Sequence, residues 1–137
     1  GSIFRTADCL GVLNIILVGT SPTPIDRFGR KRKDFIKVSL GAEEFIKWEY
    51  SVEMLPVIKK LKKEKYKIIA LEQDKNSKDL KKFKAPKKLV LVVGNEVEGV
   101  SKNVLKECDE ILEISMKGKK ESMNVSVSAG IALFNLL

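Results

Sequence analysis

Two stretches near the C-terminus place polar side chains directly behind apolar runs. Residues 89–101 read LVLVVGNEVEGVS, and residues 111–134 read ILEISMKGKKESMNVSVSAGIALF. Glycines at 94 and 99 would let backbone N–H groups approach a ligand closely. The intervening carboxylates, Glu96 and Glu98, suit a cationic or hydroxyl-rich ligand. The segment is not a phosphate loop, since no GxxxxGK[ST] is present, nor a dinucleotide fingerprint, since its two acids would repel a pyrophosphate. In the second stretch Ser122, Asn124 and Ser126 open a helix of small residues. At the other end of the chain Arg5 is a cation on a predicted helix. Arg27, Arg30, Lys31, Arg32 and Lys33 share one glycine-containing loop, where guanidinium forks suit phosphate. Each feature also has a plain local explanation. An acid such as Glu96 is common just before a helix start, Ser122 and Asn124 are ordinary N-cap types, and Arg5 could be a surface charge.

These side chains need a frame, and the hydrophobic pattern supplies one. Residues 3–10 read as a short helix stopped by Gly11. Residues 13–18 (LNIILV) read as a buried strand, and 19–24 as a turn ahead of the basic loop. Residues 35–38 read as a short strand, and 41–48 as a helical turn or short helix. Residues 54–65 form an amphipathic helix, with Leu55, Ile58 and Leu61 at helical spacing and Pro56 in the first turn. Strands are expected at 67–71, 89–93 and 111–114, a weak helix at 77–83 and a short helix at 101–107. A terminal helix is expected at 123–137, with Val125, Ala129, Ala132, Leu133 and Leu136 on its apolar side. Strands that alternate with helices and are apolar throughout predict an α/β fold around a mostly parallel sheet, covered on both faces. Ligands in such sheets bind beyond the carboxyl ends of the strands, where the 94–99 and 115–122 segments fall.

Composition bounds the function classes. The chain has 137 residues, 44% of them hydrophobic and 32% charged, which predicts one soluble globular domain. No apolar run approaches the roughly 20 residues of a membrane span, and no run reads as a signal peptide. There is no histidine, so zinc binding and imidazole acid/base chemistry are not expected, and no metal is. The two cysteines, Cys9 and Cys108, lack CxxC spacing and read as reduced core thiols, which predicts a cytoplasmic protein. Against 18 acidic residues stand 26 basic ones, a net charge of +8, a sign that favours an anionic partner such as nucleic acid. The lysines of residues 59–65 are also what a solvated helix face looks like.

Three segments together resemble the motifs of the SpoU/TrmH branch of the SPOUT methyltransferases, which methylate ribose 2′-hydroxyls of RNA with S-adenosylmethionine. IFRTADCLGV (residues 3–12) resembles the first motif, LVVGNEVEGVS (91–101) the second and EISMKGKKESMNVSVSAGIAL (113–133) the third. The resemblance implies a deep trefoil knot near the C-terminus, which no general rule of chain topology would propose, and a homodimer through the knot region. It implies that Gly94, Ile114, Met116 and Met123, with Leu71 at the preceding strand end, hold S-adenosylmethionine, largely through the backbone. It implies catalytic roles for Arg5, Glu96, Ser122 and Asn124, with Arg5 holding the target phosphate and assisting loss of the 2′-hydroxyl proton. A guanidinium is a fixed cation, which favours positioning and charge stabilisation over a free-base role. RNA contacts are expected from Arg5, Arg27, Arg30, Lys31 and Arg32.

Several departures accompany the resemblance. Ser115 stands where the family commonly has proline, and Met123 where it commonly has leucine. The family's first motif begins with an asparagine, preceded by a strand. Neither has a counterpart here, so the expectation is a single catalytic domain over residues 1–137 shortened at that end. The expected activity is 2′-O-methylation of tRNA or rRNA. The alternative is a knotted RNA-binding domain without turnover.

Overall fold

The computed structural model describes residues 1–137, which divide into two compact units, residues 1–54 and 55–137. In the first unit α1 (Ser2–Cys9) leads to β1 (Asn14–Val18), α2 (Lys33–Ser39), a 3₁₀ turn (Ala42–Glu44) and β2 (Lys47–Ser51). The second unit contains α3 (Met54–Lys63, whose first residue closes the first unit), β3 (Lys67–Leu71) and a two-residue β4 (Lys78–Asp79). A second 3₁₀ turn follows (Leu80–Lys82), then β5 (Leu89–Val93), α4 (Lys102–Glu107), β6 (Glu110–Glu113) and α5 (Val125–Leu136). No helix is long and apolar enough to cross a membrane.

Within the first unit β1 and β2 pair in parallel, with Asn14 opposite Lys47 and Val18 opposite Ser51. The strand period of two sends Ile15 and Leu17 to the core side, where they pack with Val12 and Trp48 on Phe4, Ala7, Phe35, Ala42 and Ile46. The strand expected to be buried at 13–18 is therefore only half-buried, and Leu13 is exposed and lies outside it. The expected strand at 35–38 is instead the helix α2. Its β-branched and aromatic residues favour strand locally. The helical turn brings Phe35 and Ser39 to one buried face, where the Phe35 ring meets Phe4 edge-on, with centroids 5.0 Å apart. That packing overrides the local preference. Helix α2 ends at Leu40 and Gly41, both left-handed. The helical turn expected within 41–48 is confined to Ala42–Glu44, and β2, which the pattern did not predict, begins at Lys47.

Within the second unit the strands lie in the order β4-β6-β3-β5, every pairing parallel. Ile68, Ile69 and Ala70 of β3 are fully buried, as a central parallel strand requires. One core cluster joins Ile69, Leu80, Leu112, Ala132 and Leu136, so α5 packs on the sheet through the apolar positions read from the sequence. The weak helix expected at 77–83 is β4 followed by the 3₁₀ turn, with Leu80 buried. Strand β6 is late in the chain yet lies between β3 and β4, so the 72–77 connection joins strands on either side of it. Cys108 is half-buried and donates to the Val104 carbonyl at 3.3 Å, whereas Cys9 is exposed rather than a core thiol.

Candidate functional site

Three neighbouring strands end together. Leu71, the last residue of β3, lies opposite Val93 of β5 on one side and Leu112 of β6 on the other. Residues expected around a ligand follow directly: Gly94 after β5, and Ile114 and Met116 after β6, with Met123 just before α5. Leu71, Gly94, Ile114, Met116 and Met123 are all half-buried, whereas Glu96, Ser122 and Asn124 are exposed. Parallel pairing thus converts positions 71, 94 and 114 into neighbours at one edge of the sheet.

The loop after β5 is built by its own backbone. Asn95 Oδ1 accepts from the N–H groups of Val97 at 2.9 Å and Glu98 at 2.6 Å. The Gly99 N–H donates to the Asn95 carbonyl at 3.1 Å, with Gly99 at φ +66°. A Cβ on Gly94 would lie 2.1 Å from the Gly99 carbonyl carbon and 2.4 Å from the Val100 nitrogen. The requirement for glycine at 94 therefore comes from the chain crossing itself, in addition to any ligand approach. Asn95 organises this turn, and sequence reading passed over it. An Asn following Gly at a strand end was the available signal, because asparagine bonds backbone two residues on.

Sequence reading also passed over Glu72 and Gln73, which bind the three strand ends to one another. Glu72 Oε2 accepts the Val100 N–H at 3.0 Å, and the Glu72 N–H donates to the Leu112 carbonyl at 3.0 Å. Gln73 Nε2 donates to the Glu121 carbonyl at 2.9 Å. The end of β3 is thereby tied to the loop after β5 and to the segment leading into α5. A carboxylate immediately behind the apolar run of residues 68–71 was the signal for Glu72.

Asn124 is the N-cap of α5. Its Oδ1 accepts from the Ser126 N–H at 2.9 Å and the Ser126 hydroxyl at 2.6 Å, while its Nδ2 reaches Glu96 Oε1 at a long 3.5 Å. The local capping explanation thus holds for Asn124 through its Oδ1, while its Nδ2 faces Glu96. Ser122 is exposed two residues ahead of the cap. Arg5 belongs to the first unit, exposed on α1 beside the buried Phe4. Also in the first unit, Arg27, Arg30 and Lys31 are exposed and Arg32 is half-buried. Lys31 pairs with Glu44 at 3.2 Å and Arg32 with Asp34 at 2.8 Å. No cluster of three or more Cys, Asp or Glu side chains has metal-binding geometry.

A parallel α/β sheet with polar loops beyond three adjacent strand ends places this unit in the open-sheet class, whose ligands bind outside the carboxyl ends of the strands. The family model described as SpoU rRNA Methylase family matches residues 1–134, and the chain belongs to that family. It is similar to an uncharacterized tRNA/rRNA methyltransferase of Archaeoglobus fulgidus, 34% identical over 136 residues, covering 99% of this chain and 57% of the relative. It is also similar to the 23S rRNA (guanosine-2′-O-)-methyltransferase RlmB of Neisseria meningitidis, at 33% identity over 133 residues and 97% and 50% coverage. Its fold matches the crystal structure of an AdoMet-bound rRNA methyltransferase from Sinorhizobium meliloti with a TM-score of 0.85. That match is 24% identical and covers 98% of this chain and 49% of the other. The chain thus spans about half the length of these relatives.

Proposed function

We propose that the chain is the catalytic part of an S-adenosylmethionine-dependent RNA methyltransferase acting on a ribose 2′-hydroxyl of tRNA or rRNA. The observation that carries this reading is the convergence of Leu71, Gly94 and Ile114 at three adjacent strand ends, tied together by Glu72 and Gln73, in a chain of the SpoU family. The residues present fit the cofactor. Half-buried Leu71, Ile114, Met116 and Met123 offer apolar surface for an adenine. The carboxylates of Glu96 and Glu98 suit a sulfonium cation. The main chain directly behind β5, at residues 94–95, offers polar backbone groups.

When bound, the cofactor supplies the electrophilic methyl group. The chain's own task is to place a hydroxyl in line with it and to exclude water. Arg5 would hold the phosphate beside the target ribose and offset the negative charge that develops as the hydroxyl loses its proton. Asn124 would hold Glu96 in place while capping α5, and Ser122 would supply a hydroxyl at the mouth of the same loop. Arg27, Arg30, Lys31 and Arg32 would contact RNA phosphates.

Two features of the second unit support finer statements. Strand β6 lies between β3 and β4, the arrangement a trefoil knot needs if the chain leaving β6 passes through the 72–77 connection. Helix α5 also keeps Val127, Ile131 and Phe134 exposed at i, i+4 and i+7, one apolar stripe that a second copy of the chain would cover in a homodimer.

The test is transfer of labelled methyl from S-adenosylmethionine to RNA, with 2′-O-methylated nucleotides mapped by mass spectrometry. Arg5→Ala should abolish transfer and leave cofactor affinity largely intact. Binding of RNA with no calorimetric signal for S-adenosylmethionine would refute the enzyme.

A further inference from the structure

The basic loop is an ordered hairpin with an aromatic ring at its tip. Ile25 and Lys31 form an antiparallel bridge, and the Asp26 N–H donates to the Arg30 carbonyl at 2.8 Å. Asp26 Oδ1 accepts from the N–H groups of Phe28 at 2.8 Å and Arg30 at 2.9 Å, and its Oδ2 accepts from Arg30 Nε at 2.9 Å. Those backbone bonds, Arg30's foremost, hold the Asp26 carboxyl below the usual carboxylate range, and Gly29 makes the turn at φ +78°. One side chain therefore uses both oxygens to set the tip.

At that tip Phe28 is 66% exposed. The guanidinium carbons of Arg27 and Arg30 lie 4.8 and 5.1 Å from the centre of its ring. A single exposed phenylalanine is ordinary. A phenylalanine outside the core, held on a tight turn with two guanidiniums close to its ring, gathers flat cationic and π surfaces in one place. Such surfaces fit an unstacked nucleobase, and the outer edges of the guanidiniums fit its flanking phosphates. A paired A-form helix presents phosphates and sugars but no free base face, and its deep major groove excludes side chains. The flanking acids Asp26, Asp34 and Glu44 are engaged with Arg30, Arg32 and Lys31. Such surface pairs are weak, and Arg30 meets Asp26 through its Nε, which leaves its terminal nitrogens for a phosphate.

We infer that the 25–31 hairpin is a clasp for an unpaired RNA nucleotide, with Phe28 as its stacking platform and Arg27 and Arg30 on the adjoining phosphates. The inference rests on the reading of RNA as substrate, and adds that the bound segment is single-stranded at this point.

The experiment is fluorescence anisotropy of the whole chain with a labelled, unstructured oligoribonucleotide and with the same strand in a duplex, across a salt series. Phe28→Ala should weaken single-strand binding roughly 5- to 150-fold, the range of one lost base–aromatic stack. It should leave duplex binding and the salt slope unchanged. Phe28→Trp should bind the single strand as wild type does. Arg27→Gln should instead lower the salt slope, by about 0.7 if it removes one phosphate contact. Unchanged single-strand affinity for Phe28→Ala, or equal losses on strand and duplex, would overturn the clasp. Calorimetry with S-adenosylmethionine on the same preparations separates the two readings. Cofactor binding and methyl transfer with no Phe28 effect would sink the clasp alone. A Phe28 effect without cofactor binding would sink the enzyme and leave the clasp.

Discussion

Gly94→Ala probes the self-crossing that shapes the candidate site. The added methyl would sit 2.1 Å from the Gly99 carbonyl carbon, 2.4 Å from its oxygen and 2.4 Å from the Val100 nitrogen. All three are backbone atoms, so no side chain can rotate away. Reaching ordinary van der Waals contact requires the two segments to part by about 1.3 Å. Overpacking of that kind costs about 1–3 kcal/mol. The parting also strains the Val100–Glu72 and Gly99–Asn95 hydrogen bonds, each worth about 1 kcal/mol net. A loss near 3 kcal/mol is expected, a midpoint shift of roughly 1–3 M in urea. The control is Gly118→Ala, whose added methyl meets nothing within 4 Å, and whose midpoint should stay or rise slightly. Urea titration followed by circular dichroism reads both variants, and calorimetry should show weakened S-adenosylmethionine binding for Gly94→Ala only. If Gly94→Ala unfolds at the same urea concentration as wild type, the crossing does not constrain this position and the account of the loop is wrong.

Other perturbations separate roles that share a residue. Glu72→Ala leaves the part-buried Val100 N–H without its acceptor and should cost about 1–3 kcal/mol in the same titration, while Glu72→Gln, which keeps an oxygen there, should recover most of it. Asn124→Ala should cost about 1 kcal/mol through the lost cap of α5. Asn124→Asp keeps the cap but places a carboxylate against Glu96, so stability should hold while methyl transfer falls. With thiol reagents near neutral pH the exposed Cys9 should react first, because burial pushes the Cys108 thiol up to about 11. An unfolded Cys108 would ionise near the ordinary value of 9.0. Its contribution to stability should therefore be complete below that pH and decline as pH rises toward 11. Simultaneous reaction of both thiols in the folded chain would contradict this.

Much of the second unit was legible because its signals are local. An apolar run such as IIAL (residues 68–71) or LVLVV (residues 89–93) admits few structures, and β3 and β5 fall on the expected residues. Ser101 caps α4 through its side chain, and α5 buries the expected face, starting two residues late because Asn124 rather than Ser122 caps it. The first unit was less legible because its signals are tertiary. Phe35 and Ile36 favour a strand until Phe4 supplies an aromatic partner for a helix. KWEYS, with only Trp48 packing on the core, lacks the apolar run that marks a buried strand.

The sequence by itself determined the class of the protein: alternating apolar strands and helices, a positive surface without histidine, and three motifs whose residue types belong to one family. Those properties depend on residue identity and short-range period, which the chain carries openly. Only the tertiary structure decided that Leu71, Gly94 and Ile114 are neighbours, because strand order depends on pairings between distant segments. Tertiary structure also decided that Gly94 is reserved for the chain's own crossing, that Glu72 and Gln73 bind the strand ends, and that the basic loop presents an exposed Phe28 with the Arg27 and Arg30 guanidiniums close to its ring. Each depends on how two backbones approach, a distance that no spacing along the chain encodes.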